Sequence, residues 1–169
     1  MTAPNAIRAF VIPLLFPNQH SVAVDLALLA LRLLTGYAFI LHGLPKLRNL
    51  AVWSGMLRVP SWLCALSASS MVAGGIALIP GLLTVPSALV IAGSMAYAIV
   101  FIAGHGGKFV PLEPFELPPG EYMGSAGPGE PASWEKAAMY VLICAVLATT
   151  GGGRFSIDQL VGLKLHSFL

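Results

Sequence analysis

Hydrophobic residues in this chain gather in long blocks, unlike the alternation of a half-buried strand or the narrow stripe of a surface helix. Four blocks predict helices over residues 24–44, 62–79, 83–103 and 134–150. About 20 apolar residues are needed to cross roughly 30 Å of hydrocarbon, and the first three blocks come close to that length. The fourth is slightly short and would span with local thinning or an adjustment of tilt. Pro45 is expected to end or kink the first helix, and Asp25 is placed to cap or start it. Small residues in the second and third blocks, including Gly74, Gly75, Gly93, Ser94 and Ala96, predict close helix packing.

The stretches between the blocks have their own character. Residues 5–16 are apolar but too short to span, which suggests a segment lying in the interface. Residues 46–61 carry Lys46, Arg48 and Arg58 without an acid, and Trp53 and Trp62 suit the headgroup layer. Pro80 and Gly81 predict a tight turn. Residues 104–133 are rich in Pro, Gly and Glu and form a long extramembrane loop, whose Phe109, Phe115 and Tyr122 favour docking on another subunit. The predicted fold is therefore an all-α integral membrane four-helix bundle, a single domain over residues 1–169, with a short N-terminal interfacial segment and a long loop between helices three and four.

Composition agrees with this pattern. Of the 169 residues, 57% are hydrophobic and 9% charged, against about 25% charged in soluble domains. A net charge of +2, scattered along the chain, excludes a nucleic-acid-binding surface. Cys64 and Cys144 stand alone in separate apolar blocks and read as small buried hydrophobes, not as a disulfide or zinc site. The first apolar run contains Pro13 and lacks a small-residue cleavage site, so the first spanning helix is expected to direct insertion. Lys46, Arg48, Arg58, Lys108 and Lys136 on the loop face outnumber Arg8, Arg154 and Lys164 on the other, which by a narrow margin puts the loop face in the cytoplasm.

Four antiparallel spans bring His42, Lys46, His105 and Glu135 to one membrane face. Asp25, Arg32, Arg154 and Asp158 gather toward the other, with Arg32 about two turns inside its helix. Ionisable residues inside a span normally face protein, water or ligand, because a charge near the bilayer centre costs about 2.5–3.5 kcal/mol on insertion scales.

Three stretches carry a family resemblance: RLLTGYAFILHGLPKL in the first block, GGIALIPGLLT across the second and third, and EKAAMYVLICAVLATTGGGRFSID at the end. In order and spacing the chain resembles the DoxX family of four-helix membrane proteins over residues 25–160. That resemblance implies an association with quinone-linked sulfur oxidation or membrane oxidoreductase complexes. It maps the family's residues onto Arg32, His42, Gly43, Lys46, Glu135, Gly153, Arg154, Ser156 and Asp158. One position departs: Met71 stands where many relatives carry a glutamate, which implies a lost activity or an accessory role.

Each candidate has a functional and a structural reading. His42 can bond a quinone headgroup and exchange its proton, or simply bond a helix carbonyl at the interface. His105, in GHGGK, is a second quinone-side residue or part of a flexible helix exit. Together the two histidines could ligate haem, although no ligand-spacing motif supports that arrangement. Glu135 and Lys46 form a lid pair over a headgroup or snorkel to the interface. Arg32 bridges to Asp25 or Asp158, and Arg154 joins that cluster or meets lipid phosphate. No metal site and no covalently bound cofactor is expected.

The leading functional expectation is a subunit of a quinone-linked oxidoreductase complex in a bacterial or archaeal cytoplasmic membrane. It would bind a quinone or lipid near His42, His105, Glu135 and Lys46, and meet lipids and other subunits through residues 104–133 and its helix faces. Without a redox centre of its own, electrons would pass only through a bound quinone or a partner's cofactor. The alternative is a non-catalytic anchoring subunit of a larger assembly. A small-solute transporter lacks the paired broken helices expected at a midplane site.

Overall fold

The computed structural model describes residues 21–111 and 133–168. The described residues are helical, with a single isolated bridge between Lys108 and Ser133. In chain order the helices are α1 (Val22–Arg48), α2 (Leu50–Leu57), α3 (Ser61–Leu78), α4 (Thr84–Gly104), α5 (Glu135–Thr150) and α6 (Ile157–Phe168). Three of these, α1, α3 and α4, are long and apolar enough to cross a membrane. Residues 5–16 and most of the 104–133 loop lie outside the described residues.

Helix α1 departs from expectation at both ends. Ser21, not Asp25, accepts the amide of Val24 and caps the helix, leaving the Asp25 carboxylate free to bond across the fold. At the other end the helix runs on through Pro45 to Arg48. A proline costs a helix one amide donor and crowds the carbonyl four residues back. The turn that follows is nevertheless closed by Asn49, whose backbone and side-chain amides both donate to the Pro45 carbonyl at 3.0 Å. That added turn carries Lys46.

Consecutive long helices run antiparallel. Between α1 and α3 the backbones nearly touch: a Cβ on Gly36 would lie 2.6 Å from the Gly75 carbonyl oxygen, and one on Gly75 would lie 2.7 Å from that of Gly36. Gly43 meets Ala68, Met71 and Val72 in the same way. Small residues let dispersion act between backbones where lipid offers no hydrophobic drive for association. Gly74 then receives Ile91 of α4, and α5 closes the group by packing along α4 and setting Tyr140 edge-on to Phe39 of α1, with centroids 4.8 Å apart. The core comprises Leu28, Phe39, Met71, Leu78, Ile91, Met95, Cys144 and Leu147. Both cysteines are free and buried, as small hydrophobes would be.

Many large apolar side chains outside that core are exposed, among them Leu34, Tyr37, Leu66, Val100 and Leu142. Such a surface belongs against hydrocarbon, not water.

Two helices were not foreseen. Helix α2 is a single apolar run of eight residues, LAVWSGML, set between basic residues and ending at Arg58 in the left-handed conformation. Helix α6 starts just beyond the glycine-rich turn, with the Ser156 hydroxyl accepting the Gln159 amide at 3.2 Å.

Candidate functional site

At the end of the molecule where α3 turns into α4, polar groups are buried together. Arg32 and Asp25 are completely buried, and Asp158 nearly so. A helix ends with four carbonyls that have no partner in it and begins with four such amides. Arg32 deals with the first problem: Nη1 donates to the carbonyls of Leu78 and Ile79, each at 3.4 Å, at the negative end of α3. Nη2 of the same guanidinium donates to Phe155 at 2.6 Å. Asp158 deals with the second, accepting the amides of Leu83 and Thr84 at 2.7 Å each at the positive end of α4.

Backbone bonds fix α6 to the same turn, from Ile157 to the Pro80 carbonyl and from Asp158 to that of Gly81. Gly81 has φ +69°, and a Cβ there would run into the Arg32 guanidinium and Ser156. The Asp25 carboxylate accepts the Arg154 amide at 3.0 Å and faces its guanidinium at 3.6 Å. Asp25, Arg32, Arg154 and Asp158 thus form one locking cluster, in which Arg32 bonds carbonyls and Arg154 is the ion-pair partner of Asp25.

The other end of the bundle holds a cavity of about 490 Å³ between the end of α1, α2, α3 and α4. Ligand sites commonly measure roughly 300–1,000 Å³. Its walls are mostly apolar, with Trp53, Leu57, Leu63, Met95, Tyr97 and Phe101 among them, and they also include Lys46, Met71, Gly93 and three serines. The serines are already engaged: Ser67 and Ser94 share a hydroxyl hydrogen bond of 2.6 Å, and Ser70 donates to the Ser67 carbonyl at 2.7 Å. Lys46 is not. Its ammonium lies 4.9 Å from the centroid of the Trp53 ring and 3.8 Å from the Met71 sulfur, both weak partners for a full charge.

Three of the chain's seven acids fall among the described residues. Asp25 and Asp158 belong to the opposite end, and Glu135 is not on the cavity wall. Among the described residues, the one wall residue that carries a formal charge is therefore a lysine, with no carboxylate on that wall.

The other three expected site residues lie outside this wall. His42 is exposed one turn before Lys46, where the charges acting on it are those of Lys46 and Lys136. His105 is also exposed; its Nδ1 is 2.7 Å from the Phe101 carbonyl and its ring is 4.3 Å from that of Phe101, a cavity residue. Glu135 begins α5, its amide donating to the Phe109 carbonyl at 3.0 Å. Of the four, Lys46 alone lines the cavity.

Reading the sequence for packing motifs concealed this site. Gly93 and Ser94 were expected to pack between helices; Ser94 does bond Ser67 across α3 and α4, yet a Cβ on Gly93 would meet nothing within 4 Å, and both residues line the cavity. The usable signal was Lys46 followed by Trp53 in a loop without acids.

Residues 27–104 match the family model described as DoxX. That span takes in the whole cavity wall, from Lys46 to Ile102, and stops before α5 and α6. No curated protein and no solved structure matches the chain.

Proposed function

We propose that this chain, which matches the DoxX family model over residues 27–104 and has three helices long and apolar enough to cross a membrane, serves as a membrane subunit of a quinone-linked oxidoreductase complex, holding a quinone or lipid in the cavity beside Lys46. The observation that carries this reading is the cavity itself, an apolar chamber with one under-bonded ammonium on its wall. An amphiphile's tail would replace lipid contacts along α3 and α4 while its polar head takes the donors of Lys46. A quinone carbonyl suits that donor set. His42, His105 and Glu135 would then act near the headgroup end, bonding or exchanging protons with what enters or leaves.

In this reading α5 is the fourth span. Its 16 residues rise about 24 Å, short of the hydrocarbon thickness, and a locally thinned bilayer on that side accommodates it. The subunit sits in a bacterial or archaeal cytoplasmic membrane and meets its partners through residues 104–133 and its lipid-facing helices.

Mild-detergent purification from the native membrane, followed by mass spectrometry of co-purifying proteins and extracted quinones and lipids, tests the proposal. The expected result is a redox partner together with a quinone or lipid that is lost from a Gly93→Leu variant with a filled cavity. Partners without any cavity-dependent ligand would instead favour a purely anchoring subunit.

A further inference from the structure

Resting on the reading of the cavity as a ligand site, we propose that its preferred occupant is a single-chain amphiphile with a carboxylate head, a long-chain fatty acid, held by an ion pair with Lys46. Lys46 carries this assignment. Among the described residues it has no carboxylate partner, and its neighbours are an indole face, a thioether and the Cys64 thiol. An ammonium half removed from water strongly favours a nearby negative charge, since its attraction grows as solvent is excluded. Charge-assisted hydrogen bonds to a carboxylate are also roughly twice as strong as those to a neutral carbonyl.

The shape of the wall agrees. From Lys46 and Trp53 the lining continues along α3 through Leu63, Ser67 and Ser70, and along α4 from Ile102 back to Val90. This is one elongated trough between two helices. The hydroxyls within it are bonded to each other or to backbone, so they make little demand on a methylene chain. Trp53 and Trp62 place the Lys46 end at headgroup depth, where the carboxylate of a membrane-dissolved fatty acid resides. Such a ligand reaches the cavity by moving sideways within the leaflet, with its head already at the depth of Lys46.

The test uses the full-length protein in nanodiscs of zwitterionic lipid, titrated with oleate, with oleyl alcohol of the same chain, and with decylubiquinone, in mildly alkaline buffer. Wild type should bind oleate at least about tenfold more tightly than the alcohol or the quinone. Lys46→Met should remove that preference by weakening oleate far more than the alcohol, whereas Gly93→Leu should weaken all three probes. A Met71→Glu variant, which supplies an internal carboxylate, should lose oleate selectively. Equal binding of oleate and alcohol, or oleate binding indifferent to Lys46→Met, overturns the anionic-head assignment while leaving the cavity as a ligand site. If Gly93→Leu binds every probe as well as wild type does, the cavity is not the site and both readings fall.

Discussion

Arg32 and Asp158 grip a single turn from its two sides. The guanidinium bonds the last carbonyls of α3 at Leu78 and Ile79, and the carboxylate takes the first amides of α4 at Leu83 and Thr84. Each charge opposes the dipole end it meets, and both charged side chains are buried although Leu82 and Leu83 of the turn are exposed. Leu83 has φ 51° without being glycine, a conformation that costs of order 1 kcal/mol, and the bond to Asp158 holds it there.

Replacing Asp158 by alanine removes two charge-assisted bonds and leaves the Leu83 and Thr84 amides and the Arg32 charge less compensated. Each such bond contributes about 1.5–3 kcal/mol, so a loss of roughly 3 kcal/mol is expected. Thermal unfolding in detergent, followed by the fluorescence of a thiol dye reaching Cys64 and Cys144, would read it. Asp158→Asn keeps one acceptor and should lose about half as much. An unfolding midpoint unchanged in both variants would contradict the clamp.

Arg32→Lys should fare almost as badly as Arg32→Met. The guanidinium fork serves three carbonyls on two separate segments, Leu78, Ile79 and Phe155. A lysine presents one compact ammonium and cannot reach both at once. The expected signature is a destabilised α6, seen as faster amide exchange at Ile157 and Asp158, whose donors go to Pro80 and Gly81. Retention of wild-type exchange in Arg32→Lys would mean that charge alone suffices.

Sequence reasoning recovered the three long apolar helices α1, α3 and α4 because block length and apolarity depend on local composition, and their bounds shifted by no more than a few residues. It also placed Arg32, Asp25, Arg154 and Asp158 together, since antiparallel order alone brings those positions to one end. What it missed depends on three-dimensional detail. The continuation of α1 past Pro45 rests on Asn49 reaching back to close the turn, and the trans cap of α4 by Asp158 requires α6 to dock on a turn more than 70 residues earlier. The cavity was illegible because Gly93 looks the same in the sequence whether it packs tightly or leaves space.

That ambiguity supports a paired comparison. Gly75→Ala puts a methyl group 2.7 Å from the Gly36 carbonyl oxygen, where only backbone can give way, and should destabilise by about 1–3 kcal/mol. Gly93→Ala meets open space and should be neutral or stabilising by up to about 1 kcal/mol, because alanine lowers the entropy cost of the helix. Denaturation of the two variants side by side in one detergent checks both signs. Equal losses would mean that Gly93 is packed after all.

The histidines bear on turnover, not stability. His42 and His105 are both exposed and lie off the cavity wall, so alanine at either should change the unfolding free energy by less than about 0.5 kcal/mol. If they handle the headgroup or its protons, quinone-dependent turnover of the assembled complex should fall about 100-fold or more in the double variant, the scale of a lost general acid or base. Ligand binding should persist through Lys46, so that kcat falls while occupancy by mass spectrometry stays near wild type. Unchanged turnover in both single variants would confine the chemistry to Lys46 and the cavity wall, and leave His105 with the role its geometry already shows, a ring bonded to the Phe101 carbonyl at the exit of α4.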